Sequence, residues 1–388
     1  MTVKFFASTD KGMPTPSSAA GALAAFLDVC LNTGYNAQTA TSLTQAAGTA
    51  TMVLNSGHGF NPDQRVLVSG ANEAGYNGEQ TVLTTTSTSI TFAVPSSAAA
   101  TATGTVSVKV APLGWNIAFT GTNKRVYTPS VPQSLGFFLR VDDTGSVARV
   151  RGYESMTDVD TGVGPFPTDG QISGGGFWSK QYSNYAVQWA LFGDERLFYL
   201  LLFPQGVSSV GPLVGFGDIN AQSSADAYAC MLACVPTDFS YSNGALAGDL
   251  SFPQQAGSNG IFFPRGYTQT GSAKQAFLAS FGIPMGSVYS GTGNTNNGSA
   301  VGLSFPNPAD NGIFVNAPYV GHDAGLRGQL PGLYHTCQNW FSSYNHRDKI
   351  PGTDALVGKK LMAIRTGTPS GGLSYFGMVG IDITGPWR

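Results

Sequence analysis

Apolar residues in this chain come in short runs, and nearly every run ends at Gly, Pro, Asn or Asp. Strand-length runs bounded by turn formers specify β-structure, whereas a helix needs apolar residues recurring at three- and four-residue spacing. One segment meets the helical condition. After Thr15-Pro16-Ser17-Ser18, the residues Leu23, Phe26, Leu27 and Leu31 share a face, which predicts a helix over about 17–33. Ser17 or Ser18 is its expected N-cap and Gly34 its expected C-cap. Strands are expected at 3–7, 115–120, 124–127, 136–141, 148–153, 187–192 and 196–203. The fold class that follows is mainly β: a β-sandwich or barrel body with one N-terminal helix and a small inserted β-module.

The insertion is read from a change of character along the chain. Residues 1–48 form the first part of the body, 49–110 the module, and 111–388 the remainder, long enough for two subdomains. Within the module, strands are expected at 65–68, 80–84, 89–94 and 104–110, with Ile90, Phe92 and Val94 alternating onto one buried face. Tyr76-Asn77-Gly78 is expected to make a tight hairpin, since Asn-Gly readily adopts positive φ.

Charge is scarce. Lys and Arg total 20 and Asp and Glu 22, or 11% of 388 residues, where about 25% is usual. Little repulsion therefore opposes packing against like copies. The net charge of −2 and the lack of a basic stripe argue against nucleic acid as a partner. No apolar stretch reaches the roughly 20 residues of a membrane span. Met1–Phe6 runs into Ser8, Thr9 and Asp10 with no secretory apolar core, so synthesis in a cytoplasm is expected. Cys30, Cys230, Cys234 and Cys337 are then expected as free, buried thiols.

Candidate chemistry is thin. His322, Asp323, His335, Cys337 and His346 fall close together in sequence, but their spacing fits no zinc pattern, so His322, His335, Cys337 and His346 are weak metal candidates only. Asp142-Asp143, Asp158 with Asp160, and Asp194-Glu195 could be glycosidase carboxylate pairs; the first and last also read as turns between strands. Asp158-Val159-Asp160-Thr161-Gly162 begins like a calcium loop and lacks its distal Glu. No nucleophile elbow, phosphate loop or His-Glu-x-x-His pair is present. Accordingly no catalytic residue and no cofactor is expected. Among the aromatics, Trp178, Tyr182, Tyr185 and Tyr76 are candidate contact residues, but core packing is the favoured role of Trp178, Tyr182 and Tyr185.

Two ordered sets of motifs carry a resemblance. Gly57-His58-Gly59, Val68-Ser69-Gly70-Ala71, Tyr76-Asn77-Gly78, Thr91-Phe92 and Ala102-Thr103-Gly104 resemble a small Ig-like, β-sandwich-type module inserted in bacteriophage structural proteins. Across the body, Phe138–Gly145, Arg151–Glu154, Gly193–Tyr199, Phe216–Ile219, Asp226–Cys230, Leu326–Tyr334 and Ile381–Arg388 resemble structural virion proteins of tailed bacteriophages. The resemblance implies a non-enzymatic component of the virion, made in the host bacterial cytoplasm: an exterior head (minor capsid or decoration) or tail accessory protein. Its implied partners are copies of itself, as a trimer, and other virion proteins. The alternative is a tail-tip receptor-binding protein that contacts the host-cell surface, and a virion-associated glycan hydrolase is the third reading.

Overall fold

The computed structural model describes residues 2–180, 188–203, 211–237, 254–255, 258–279, 305–323, 325–336, 338, 343–367 and 376–388. Among the described residues the chain is mainly β, with one short α-helix. Among the described residues the largest sheet has ten strands in antiparallel order: Lys4–Ala7, Trp189–Gly193, Leu197–Leu202, Leu213–Asp218, Cys230–Ala233, Ile261–Phe263, Lys274–Ala279, Tyr319–His322, Gly325–Gln329 and Asn220–Ala221. Asn220–Ala221 follows Leu213–Asp218 almost directly, yet pairs at the far edge with Gly325–Gln329. One continuous backbone thus serves both the middle and an edge, which requires the sheet to curl.

Both faces of its central strands are covered. Phe198, Leu200 and Phe216 join a cluster with Trp115, Leu139, Val150 and the helix residues Leu23, Phe26 and Leu27. Trp115, Leu139 and Val150 come from a five-stranded sheet ordered Trp115–Gly121, Lys124–Pro129, Phe138–Asp142, Ala148–Tyr153, Gly176–Trp178. On the opposite side Tyr199, Leu201 and Met231 pack with Ile364, Val379 and Ile381. These last belong to a second five-stranded sheet, ordered Val315–Asn316, Leu333–Thr336, Phe376–Asp382, Lys360–Gly367, Lys349–Pro351. Double coverage explains the continuous apolar run Leu197–Phe203. Neighbouring side chains in a strand face opposite ways, and here neither way leads to water. Each such leucine contributes about 1.5–3 kcal/mol by burial.

The helix differs from its expected form. It runs Ala22–Asp28 and continues as a π-helical turn, Val29–Thr33, before Gly34. Neither Ser17 nor Ser18 caps it. Asp143 does so from a distant turn: its Oδ2 accepts the N–H groups of Leu23 (2.8 Å) and Ala24 (3.1 Å). A carboxylate satisfies two of the unpaired first-turn donors at once, which a serine hydroxyl does less well.

Residues 35–110 form two four-stranded sheets, so strand pairing reaches back before residue 49. One sheet is ordered Tyr35–Thr39, Ser107–Val110, Arg65–Ser69, Gly78–Thr81, and the other Ser42–Ala46, Thr49–Val53, Ser89–Ala93, Thr84–Thr85. Met52, Ile90 and Phe92 of one share a core with Val66, Val68 and Val108 of the other. Residues 80–84 are not one strand, because the chain changes sheets at Val82 and Leu83. Nor is Asn77-Gly78 a tight hairpin. Asn77 has φ −77° and its side chain ties both the N–H (3.1 Å) and the C=O (2.7 Å) of Ala71, closing a wider loop. His58 organises another: Phe60 N–H donates to its Nδ1 (3.1 Å), and its Nε2 lies 2.9 Å from Thr86 O. At the base of the unit, Asp63 pairs with Lys349 and Lys360 (2.6 Å each) and Glu79 with Lys4 (2.5 Å). Gly34 abuts Val110 there, at φ +72° where a Cβ would strike the Val110 carbonyl.

Candidate functional site

Several of the described charged side chains meet in buried or half-buried ties. Asp194 closes the turn between Trp189–Gly193 and Leu197–Leu202 by accepting the N–H groups of Arg196 (2.8 Å) and Leu197 (2.9 Å). Arg388 then donates Nη2 to both Asp194 oxygens (3.1 and 3.2 Å) and Nη1 to the Asp218 carbonyl (2.8 Å). Asp218 in turn accepts from Arg196 Nε and from Leu135 N–H, each 3.0 Å. Burial pushes its carboxyl up, against the pull of these donors. A second tie joins Asp226 to Arg327 through two bonds (2.7 and 2.9 Å), with the guanidinium over Phe263. A third joins Glu154 to Arg265 (2.7 Å twice). Residues far apart in sequence therefore meet: Asp194, Asp218, Asp226, Arg327 and Arg388 each lie in one of the body motifs named above.

Of the paired carboxylates, Asp142, Asp143, Asp158, Asp160 and Asp194 are spent structurally, while Glu195 accepts the Thr2 N–H (3.3 Å) at one oxygen only. Asp143 caps the helix and meets Lys180, while Asp142 pairs with Arg140 (2.9 Å). Asp158 Oδ1 accepts the N–H groups of Asp160 (2.7 Å) and Thr161 (2.8 Å), an Asx turn. Asp160 meets Lys124 (2.8 Å) and Arg140 (2.5 Å), which hold its carboxyl below the usual range.

The histidine group does not converge. His322 ends a strand of the ten-stranded sheet, accepts Tyr267 N–H at Nε2 (2.9 Å) and stacks on Tyr267. His335 lies buried in the second five-stranded sheet, and His346 accepts Arg365 N–H (3.2 Å). Burial lowers His335 and His346 to about 4. Cys337 lies outside the described residues. Among the described residues, no three His, Cys, Asp or Glu side chains gather as a metal site requires. Cys30, Cys230 and Cys234 are free and buried, and burial pushes each thiol up.

Two of the four candidate contact aromatics take the core role. Trp178 is fully buried, donating to Ala233 O (3.0 Å), and Tyr76 is fully buried, donating to Ala99 O (2.5 Å). Both anchor cores and offer nothing to a partner. Tyr182 and Tyr185 lie outside the described residues.

One exposed surface is regular. Thr101, Thr44, Thr51, Thr91 and Thr84 stand opposite one another across successive strands of the second module sheet, a single line of hydroxyls and methyls. Thr84 and Thr91 hydroxyls bond at 2.7 Å. The sheet is built from segments 29–62 and 80–108, neither of which contains an Asp, Glu, Lys or Arg. Sequence reasoning missed this line because it exists only once the register is known. No helix among the described residues is long and apolar enough to cross a membrane. No family model matches the chain, and comparison with curated proteins gives no significant match.

Proposed function

We propose that the chain is a non-enzymatic structural subunit of a tailed-bacteriophage virion, an exterior head or tail accessory protein acting through subunit contacts. The supporting observation is the convergence of the body motifs on buried ties. Residues that carry the resemblance to virion proteins tie the turns of the ten-stranded sheet to one another and to Arg388, so the pattern encodes a rigid frame. In this reading the body is a layered sandwich, and residues 35–110 are an Ig-like sandwich clamped at its base by Asp63 and Glu79. Copies associate through neutral surfaces, as a trimer. The test is a stoichiometric count of the protein in purified particles of the encoding phage. Tens to hundreds of copies fit a head accessory and small multiples of three or six a tail component; absence from the particle would refute the proposal.

The uncharged threonine line favours a second reading, receptor binding at a tail tip. Purified protein should then adhere to host cells, and Thr51→Lys with Thr91→Lys should abolish adhesion without unfolding the chain.

A further inference from the structure

Lys180 and Asp143 are both fully buried, at 0% side-chain exposure. Lys180 Nζ lies 2.8 Å from Ala19 O, 3.0 Å from Gly145 O and 2.5 Å from Asp143 Oδ1. The other carboxyl oxygen, Oδ2, accepts the N–H groups of Leu23 and Ala24. An ammonium and a carboxylate satisfy this geometry, and so does the uncharged pair. A neutral amine has two N–H donors and one lone pair. With the two carbonyls accepting the two N–H bonds, the lone pair is left facing Asp143. Taking an ion pair fully out of water is costly, and the uncharged form avoids that cost. Burial also pushes the Asp143 carboxyl up, in the direction of the acid.

We propose that Lys180 and Asp143 condense to an intramolecular isopeptide bond in the folded chain. Nζ attacks Cγ of the carboxylic acid, and the displaced carbonyl electron pair moves onto Oδ2. The Leu23 and Ala24 N–H groups already point at that oxygen and stabilise it as an oxyanion. The Cγ–Oδ1 bond then breaks; Oδ1 leaves as water with the carboxyl proton and one amine proton, and the pair on Oδ2 re-forms the carbonyl. One C–N bond forms, one C–O bond breaks, and nothing is oxidised or reduced. Holding the two groups in contact supplies the effective concentration that free acid and amine lack. The amide product keeps one N–H for Ala19 O or Gly145 O, and its carbonyl keeps both helix donors. The bond would tie the turn after Phe138–Asp142 to the segment after Gly176–Trp178.

The test is intact mass of the full chain under denaturing conditions, followed by digestion and fragment sequencing. The wild-type protein is expected to weigh one water less than its sequence, with a branched peptide joining Asp143 to Lys180. Lys180→Arg and Asp143→Ala should each show the full sequence mass. A wild-type chain at full sequence mass overturns the proposal, as does a water loss mapped to any other residue. The wild-type measurement decides the matter even if a variant fails to fold.

Discussion

Arg388 bonds Asp194, which is fully buried, and through the Asp218 carbonyl it reaches the next turn of the same sheet. Its worth comes mainly from what its removal would strand. Arg388→Met should destabilise the chain by about 3–5 kcal/mol, the usual result of leaving one member of a buried pair alone. Urea titration followed by tryptophan fluorescence reads this directly; a loss under about 1 kcal/mol, the value of a surface pair, would mean the tie is ornamental. Asp194 also shows how far a turn is legible in sequence. Asp and Gly predict the bend, and the bend is there, but nothing local says that an arginine 194 positions away completes it. Asp143 is the same case more strongly. As a turn residue it is ordinary, and its capping of a helix over a separation of 120 is a tertiary fact. Trp178 and Tyr76 were ambiguous between core and contact because an aromatic ring in a Gly-flanked segment suits both.

Among elements, the strands were the legible part and the pairings were not. Alternation at Ile90, Phe92 and Val94 marks a one-sided sheet, and Leu197–Phe203 marks one covered on both faces. The strands Tyr35–Thr39 and Ser42–Ala46 escaped notice because each has only one buried residue among polar ones, a weak signal for the edge positions they take. Their pairing changes what can be removed. Excising 50–108 would orphan both strands and expose Val110, which pairs with Val66, and the product should aggregate. Excising 35–110 cuts at the point where Gly34 and Val110 touch, so a short glycine linker should bridge the gap and leave a folded body. Circular dichroism and limited proteolysis of the two deletions should separate in that order; equal behaviour would show that the unit is not closed on itself.

At the scale of the whole molecule, acid should act through buried histidines. His335 is lowered by burial from 6.5 to about 4. Between those values the unfolded chain binds the proton and the folded chain does not, so stability falls as pH falls from about 6.5 to about 4 and levels off below. The loss is up to about 3 kcal/mol for His335, and His346 acts in the same sense. His335→Gln should flatten the melting-temperature profile across that window; an unchanged profile would assign the acid sensitivity elsewhere. Association should behave differently. Surfaces drawn from segments 29–62 and 80–108 have no charge to screen, so self-association measured by sedimentation should be insensitive to salt between about 0.1 and 1 M, although the Debye length shrinks from about 10 to 3 Å. Weakening with salt would locate the contact at the ionic patches instead.

An edge strand of the great sheet, Lys4–Ala7, is made well before its partner Trp189–Gly193. At about 5–20 residues per second, roughly 10–40 s separate the emergence of Ala7 from that of Ala190. During that interval Phe5 and Phe6 have no strand to join, while residues 35–110 have everything they need to close. Order of manufacture therefore runs against order of assembly: residues 35–110 can close on the ribosome while the strand Lys4–Ala7 still waits for its partner.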